Sequence, residues 1–170
     1  MKRKLLVVYA SRFGQTETIA RRIAEIAQRE GIASQVVEVN ARAEGALGDA
    51  TDVVVAGAVY FGRHLRALSE FVRSTRAELL KRHTAFVSVC GAADEPDARL
   101  DEARTYVDKF LRQAGWTPDT SVIFGGAIAY TRYGWFLRFL MRRIARTRGL
   151  GTDTARDYDY TDWNAVDAFA

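Results

Sequence analysis

The loop Ser-Arg-Phe-Gly-Gln-Thr at residues 11–16 combines hydroxyl, amide and guanidinium groups around one glycine. Gly14 has access to backbone conformations that other residues avoid and lets a ligand approach the chain closely. Unpaired N–H groups at the start of a following helix attract an anion. These features predict a phosphate-binding loop, although Ser11 or Gln15 could instead only cap the helix. The candidate ligands are Ser11, Arg12, Phe13, Gly14, Gln15 and Thr16.

The glycine pattern limits which phosphate this loop can hold. The triphosphate pattern G-x-x-x-x-G-K-[ST] is absent. The dinucleotide pattern G-x-G-x-x-G is absent too, because Gly14 is the only glycine in the loop. A hydroxyl-rich loop with one glycine therefore favours a monophosphate such as that of FMN.

Two further segments follow predicted strands, after Gly57 and after Cys90, where parallel α/β sheets bind ligands. Tyr60 and Phe61 could cover a ring face, and Gly62 would let the backbone approach its edge, but both aromatics could also be core residues. Cys90 is interpreted as a small inert residue at the end of a strand. His64 is a candidate for proton transfer near the ring, and His64, His83 and Cys90 lack the spacing of a metal site.

A basic segment follows the last predicted strand. Residues 132–148 contain six arginines and no acid, so removing them from the net charge of +4 leaves −2 for the rest. On a helix, one side carries apolar residues and the other carries arginines together with Trp135 and Phe139. This pattern is typical of a membrane-surface helix or of a surface for an anionic partner. Packing of the apolar side on the protein's own sheet is the alternative, and no motif supports nucleic-acid binding. The predicted apolar side consists of Phe136, Leu137, Leu140, Met141 and Ile144.

Strands and helices alternate along the chain. Continuous apolar runs such as Leu5–Tyr9 are typical of parallel strands that are covered on both faces. The fold class is therefore predicted as α/β, a doubly wound five-stranded parallel sheet with helices on both faces. Strands are predicted at 5–9, 35–39, 52–57, 84–90 and 121–130, and helices from about 19, at 66–81, at 100–114 and from 162.

Size and composition predict one domain over residues 1–170 with a helical insert at about 131–160. Cys90 is the only cysteine, which fits a reducing compartment. The apolar run at the N-terminus is too short for a signal peptide. No apolar stretch reaches the length of a membrane-spanning helix. We therefore expect a cytoplasmic protein, and a homo-oligomer is compatible with the sequence.

The three segments together resemble the flavodoxin superfamily. Residues 9–16 are similar to its phosphate loop, with Phe13 where that family often has a hydroxyl residue. Residues 57–64 look like the loop at the edge of the isoalloxazine ring, and the segment from Val89 toward Arg99 resembles another ring-contacting loop. The resemblance implies bound FMN and adds these ligands: Val59, Tyr60, Phe61, Gly62, Val89, Cys90, Gly91 and Ala92.

The second half of the chain is similar to the menaquinone-dependent protoporphyrinogen IX dehydrogenases. The resemblance is carried by residues 125–135, 138–141, 151–154 and 160–163. It implies a haem-biosynthesis enzyme in which protoporphyrinogen IX is oxidised to protoporphyrin IX by FMN, and a membrane quinone accepts the electrons. It also implies peripheral contact of about residues 132–148 with the anionic inner face of the cell membrane. The substrate carries two propionates, with which Arg132 and Arg138 would pair, while its rings would pack on aromatic side chains. The implied substrate-binding residues are Tyr130, Arg132, Tyr133, Trp135 and Arg138.

Three other functions remain open on this scaffold. An NAD(P)H:quinone reductase would show fast flavin reduction by a nicotinamide. A flavodoxin-type electron carrier would be expected to present an acidic docking face, against which the sequence pI of about 9.4 argues. A degenerate domain without flavin would stay colourless when FMN is added.

Overall fold

The computed structural model describes residues 3–40, 43–91 and 98–170. Its centre is a sheet in which five strands follow the order β2-β1-β3-β5-β6, every neighbouring pair being parallel. This confirms the predicted five-stranded parallel sheet. The short strand β4 runs antiparallel to the end of β3. The strands are β1 Lys4–Ala10, β2 Ala33–Glu38, β3 Asp52–Tyr60, β4 Arg63–His64, β5 His83–Cys90 and β6 Thr120–Gly125.

Helices cover both faces of this sheet, as predicted. Successive strand residues point to opposite faces, so Val53 and Val55 pack with α2 and α3, whereas Val54 and Ala56 pack with α1 and α5. Two apolar layers therefore hold the sheet, one on each face. The helices of the described residues are α1 Gln15–Arg29, α2 Arg66–Leu79, α3 Ala98–Ala114, α4 Trp135–Thr147 and α5 Trp163–Phe169.

The last predicted strand, 121–130, is wrong beyond residue 125. Gly126 interrupts it, and the next two residues form β7, Ala127–Ile128, which pairs antiparallel with β8, Tyr158–Asp159. A 3-10 turn follows at Tyr130–Arg132. The chain leaves the sheet here because its apolar residues pack in a hydrophobic cluster that is separate from the two layers on the sheet. That cluster includes Ile128, Ala129, Tyr130, Tyr133 and Ala145.

Helix α4 confirms the predicted basic amphipathic helix, with one change. Leu137, Met141 and Ala145 pack in the cluster beside β7. Phe136, predicted on the apolar side, is 63% exposed because it lies at the edge of that face. No described helix is long and apolar enough to cross a membrane.

Candidate functional site

Three loops meet at one edge of the sheet, beyond the carboxyl ends of β1, β3 and β5. These strands are neighbours in the sheet, so the loops that follow them lie side by side. The described residues at this edge are 11–14, the hairpin tip at 61–62 and Gly91, which directly follows β5. Parallel α/β sheets bind ligands beyond this edge, and each of these groups belongs to a segment that was predicted to bind a cofactor.

The loop between β1 and α1 has the features of an anion site. Gly14 has a φ of 96°, a left-handed conformation that glycine adopts without strain. Its N–H donates to the Ser11 hydroxyl at 2.9 Å, which fixes the turn into α1. The Thr16 hydroxyl is fully buried and has no hydrogen-bond partner in the described part of the chain. A buried hydroxyl without a partner is costly, and an anion at the first turn of α1 would satisfy it.

Gln15 ties this loop to the segment that precedes α5. Its side-chain amide donates to Asp159 Oδ1 at 2.8 Å and to the Thr161 hydroxyl at 2.7 Å. Trp163 Nε1 donates to the other carboxylate oxygen of Asp159 at 3.0 Å. The Gln15 side-chain nitrogen thus holds the loop in place, and contact of Gln15 with a cofactor stays a prediction.

The hairpin between β3 and β4 presents an aromatic residue at its tip. Phe61 and Gly62 have positive φ angles of 48° and 74°, as a type I′ turn requires. Phe61 is 70% exposed, which excludes the alternative that it is a core residue. Tyr60 is partly buried, its hydroxyl accepts from the Arg12 N–H at 3.0 Å, and its ring packs edge-on against Phe13. The hairpin therefore presents the exposed Phe61 ring at its tip, and the contacts of Tyr60 hold the Tyr60 ring in place beside it.

Two adjoining cavities lie between these loops and α4. The α4 cavity has a volume of about 310 Å³ and the loop cavity about 210 Å³, so together they reach the ~300–1,000 Å³ of small-molecule sites. Both are lined by Phe13, Val59, Tyr60, Gly91, Gly126, Ala127 and Tyr133. The α4 cavity is also lined by Arg12, Phe61, Gly62, Cys90, Glu102, Tyr106, Ile128, Leu137, Met141, Ile144, Ala145, Arg148, Leu150 and Tyr160. The loop cavity is also lined by Gly14, Gln15, Thr16, Thr18, Ala58, Val89, Ala129, Arg132, Asp157, Tyr158 and Asp159.

Most of the predicted cofactor ligands line one of these cavities. Ser11 lines neither, although its hydroxyl holds Gly14. Ala92 lies outside the described residues. The structure thus brings the predicted residues together, and their contact with a cofactor stays a prediction. The predicted ligands that line the cavities are Arg12, Phe13, Gly14, Gln15, Thr16, Val59, Tyr60, Phe61, Gly62, Val89, Cys90 and Gly91.

The predicted substrate-binding residues do not form one group. Tyr133 lines both cavities and packs edge-on against Phe13, and Arg132 lines the loop cavity. Tyr130 is fully buried, and its hydroxyl donates to the Gly151 carbonyl at 2.9 Å. The expectation that Tyr130 packs on a substrate is therefore corrected, because the residue belongs to the core beneath α4.

Arg138 and Trp135 also lie away from both cavities. Arg138 Nε donates to the Tyr130 carbonyl at 3.0 Å, and Nη2 donates to the Tyr133 carbonyl at 3.1 Å. These bonds use the guanidinium to attach α4 to the preceding turn, which corrects its predicted role toward a substrate carboxylate. Trp135 is 83% exposed at the start of α4. It is a surface residue and does not line the site.

His64 lies in the core and lines neither cavity. Its ring packs against Phe86 and Phe110, with centroid distances of 5.3 and 4.7 Å. Nε2 and the Ser88 hydroxyl share a hydrogen bond at 3.0 Å. Burial lowers the pKa of His64 from 6.5 to about 4. The histidine is therefore neutral near pH 7, and the suggestion that it transfers protons at the ring is corrected.

Three polar residues of the α4 cavity were missed from the sequence. Glu102 and Tyr106 come from α3, and Arg148 follows α4. The Tyr106 hydroxyl donates to Glu102, and this bond together with burial raises the pKa of Tyr106 to about 12. Arg148 is partly buried and forms no ion pair with a carboxylate among the described residues. No sequence pattern links residues of two different helices, so only the fold brings them together.

The two cavities suit different parts of one ligand. The α4 cavity is lined by aromatic and aliphatic side chains, which suit a flat ring. The loop cavity offers the first turn of α1, the Thr16 hydroxyl and the Arg132 guanidinium, which suit an anion. Asp157 and Asp159 also line it, but Asp157 accepts from the Thr131 N–H and hydroxyl, and Asp159 accepts from Gln15. A ring joined to a phosphate by a short linker, as in a flavin mononucleotide, fits this arrangement.

Comparison with known proteins agrees with this geometry. The flavodoxin domain family matches residues 6–155. The chain is a flavodoxin-domain protein. Its fold is similar to that of oxidised flavodoxin 2 from Bacillus cereus, with a TM-score of 0.56 and 18% identity over 72% of this chain and 84% of that one. Membership of the family implies a bound flavin, and the residues of both cavities fit one.

Two relatives extend the similarity beyond the flavodoxin core. This flavodoxin-domain protein is 34% identical over 167 residues to protoporphyrinogen IX dehydrogenase (quinone) of Escherichia coli strain K12, covering 98% of this chain and 92% of the relative. It is 32% identical to the protein of the same name from Leishmania major, covering 98% of this chain and 73% of that relative. The chain therefore belongs to the protoporphyrinogen IX dehydrogenase family.

Proposed function

We propose that this protein uses FMN to oxidise protoporphyrinogen IX to protoporphyrin IX, with a membrane quinone as the electron acceptor. The similarity to the Escherichia coli dehydrogenase supports this most directly. It runs over 98% of the chain, and so it includes α4 and the β7–β8 pair as well as the flavin-binding core. Residues of α4 and β7 form one wall of the α4 cavity, and β8 lines the loop cavity.

FMN is the flavin that the loop cavity favours. The cavity has donors for one phosphate at the first turn of α1, and the glycine pattern of a dinucleotide site is absent from the loop. Riboflavin would leave the buried Thr16 hydroxyl without a partner. A monophosphate is therefore the anion that this end of the site suits best.

The substrate is proposed to enter at the mouth of the α4 cavity. Protoporphyrinogen IX is large and apolar and carries two propionates. The exposed Phe61 ring and the side chains of Leu137 and Met141 offer apolar contact. Arg12 and Arg148 line the same cavity and form no ion pair with a described carboxylate. They replace Arg132 and Arg138 as the proposed partners of the propionates.

The chain's residues bind and orient, while bound flavin supplies a two-electron acceptor for hydride equivalents. Conversion of the porphyrinogen to the porphyrin removes six electrons and six protons, so three quinones are reduced to three quinols. Tyr60 is held by the Arg12 N–H and Tyr133 by the Ala129 N–H, to which its hydroxyl is an acceptor at 3.1 Å. These bonds fix two of the rings that line the site. The Tyr106 phenol stays protonated near pH 7, because its pKa is about 12.

The test mixes the purified yellow protein with protoporphyrinogen IX and a menaquinone analogue under anaerobic conditions. Porphyrin fluorescence is expected to rise well above the no-enzyme control and to depend on the quinone. Protein freed of flavin should be inactive and should recover with FMN. Absence of fluorescence above the control would contradict the proposed function. Rapid bleaching of the flavin by NADH or NADPH would favour the quinone reductase instead.

We further propose that α4 binds the anionic inner face of the cell membrane, where the quinone is available to a cytoplasmic enzyme. Trp135, Phe136 and Phe139 are each more than 60% exposed on this helix. Arg142, Arg143 and Arg146 are exposed on the same helix. Aromatic rings insert at the lipid interface, and each arginine near an anionic surface adds ~1 kcal/mol of attraction.

This membrane contact predicts a lipid-dependent binding equilibrium. The double substitution Trp135→Ser/Phe139→Ser should weaken binding to vesicles that contain anionic lipid at least tenfold, because two exposed aromatic side chains leave the interface. Sedimentation with such vesicles, at fixed salt, measures the effect. Leu80→Ser is the control, since Leu80 is 62% exposed directly after α2 and does not belong to the basic segment of α4. Equal binding to neutral vesicles, or equal loss in the control, would contradict the proposal.

A further inference from the structure

Arg132 lies directly over the loop that precedes α1. Its Nη1 donates to the Phe13 carbonyl at 2.5 Å. A Cβ built on Gly14 would overlap the same nitrogen, so the guanidinium is packed against the glycine. The residue follows β7 and lies 119 positions from Phe13 in the sequence. The segment that follows β7 thus places the Arg132 guanidinium against the loop between β1 and α1, which is far away in the sequence.

The positive charge of Arg132 is not neutralised by a carboxylate among the described residues. Arg132 forms no ion pair in the described part of the chain. A guanidinium has five N–H donors, and the bond to Phe13 uses one of them. Asp157, which also lines the loop cavity, accepts instead from the Thr131 N–H and hydroxyl. Donors of Arg132 therefore remain available to a ligand.

An independent observation marks the same space as a ligand site. The Thr16 hydroxyl is 0% exposed, lines the loop cavity and has no hydrogen-bond partner among the described residues. Thr16 is in the first turn of α1, where backbone N–H groups have no partner within the helix. Arg132, the Thr16 hydroxyl and these N–H groups are all donors, so the cavity suits an acceptor with several negatively charged oxygens.

We propose that Arg132 binds the phosphate of the flavin and that this arginine makes the site selective for a phosphorylated flavin. The inference rests on the proposed flavin binding and is independent of the identity of the substrate. It replaces the expectation that Arg132 pairs with a propionate. Arginine and phosphate form charge-assisted hydrogen bonds, often two in parallel. The segment after β6 therefore contributes to both ends of the ligand, with α4 at the ring and Arg132 at the phosphate.

The test compares FMN with riboflavin, which lacks the phosphate. Flavin-free protein is titrated with each compound, and binding is followed by quenching of flavin fluorescence. Arg132→Gln keeps an N–H donor for the Phe13 carbonyl and removes the charge. It should weaken FMN binding about 10- to 100-fold and leave riboflavin binding within about twofold. Arg132→Lys should restore most of the preference for FMN.

The control is Arg112→Gln, because Arg112 is an exposed arginine of α3 that lines neither cavity. It should bind both flavins like the wild type. Equal weakening of both flavins by Arg132→Gln would show that Arg132 acts through the loop conformation and would overturn the proposal. An unchanged FMN affinity would overturn it as well. Wild-type protein that binds FMN but fails in porphyrinogen oxidation would contradict the proposed function and leave the role of Arg132 intact.

Discussion

Substitution His64→Gln is expected to abolish an acid-dependent loss of stability of about 3 kcal/mol. The wild-type ring packs against both Phe86 and Phe110, and its Nδ1 atom is buried without a hydrogen-bond partner among the described residues. Burial lowers the pKa of the folded-state histidine from 6.5 to about 4. The unfolded chain therefore binds a proton at a higher pH than the folded protein does.

The direction in which pH changes the stability follows from this difference in pKa between the folded and unfolded states. Between pH 6.5 and about 4 the unfolded state carries the proton and the folded state does not, so stability falls as the pH falls. Above about pH 7 both states are neutral and this contribution is constant. The glutamine variant has no such titration, so its free energy of unfolding should decline less steeply with acid than that of the wild type.

Urea unfolding at several pH values between 7.5 and 4.5 measures the effect as a difference between wild type and variant. Carboxylate titrations are common to both proteins and cancel in the difference. His83→Gln is the matched control, because His83 is exposed at the start of β5. Parallel curves for wild type and His64→Gln would show that the buried histidine does not control the acid response.

Substitution Gly151→Ala is expected to weaken the packing of α4 while the parallel sheet stays folded. The Gly151 N–H donates to the Tyr160 hydroxyl at 2.9 Å, and its carbonyl accepts from the Tyr130 hydroxyl at 2.9 Å. A Cβ at this position would overlap three atoms of the Tyr158 ring. That ring is rigid and lies between the other two tyrosines, edge-on to Tyr130 and stacked on Tyr160, so the backbone must shift. Overpacking of this kind typically costs ~1–3 kcal/mol.

The loss should be local, because the tyrosines belong to a cluster separate from the two layers that hold the sheet. Hydrogen exchange of the α4 amides should become roughly 5- to 100-fold faster, with little change in α1 and α2. FMN affinity should fall as the α4 cavity loses a wall. Gly134→Ala is the control, since a Cβ on Gly134 meets no atom within 4 Å and the residue caps the same helix. Equal acceleration throughout the sheet would contradict a local effect.

The sheet and the loops at its edge could be predicted from the sequence because they depend on local patterns. Continuous apolar runs identified the strands of the parallel sheet, and one glycine among hydroxyls marked the loop between β1 and α1 as a candidate phosphate site. The end of β6 was missed because Ala127 and Ile128 are as apolar as a sheet strand. Their actual partner, Tyr158–Asp159, is distant in the sequence and carries no signal of the pairing.

Side-chain roles in the insert could not be predicted because they depend on what each arginine reaches. The family resemblance implied pairing with substrate carboxylates for Arg132 and Arg138. In the structure Arg138 donates to two backbone carbonyls, and Arg132 donates to the Phe13 carbonyl across the sheet edge. Arg148 lines the α4 cavity through its position after the helix, which no residue pattern specifies.

The hydrogen bond between Gln15 and Asp159 joins two residues that are translated at different times. The two residues are 144 positions apart, and ribosomes add ~5–20 residues per second. The loop between β1 and α1 therefore exists for roughly 7 to 30 s before the carboxylate that holds it has been synthesised. Arg132 and α4 are also translated late. We therefore expect the cofactor to be captured only after the segment that contains Asp159 has been translated.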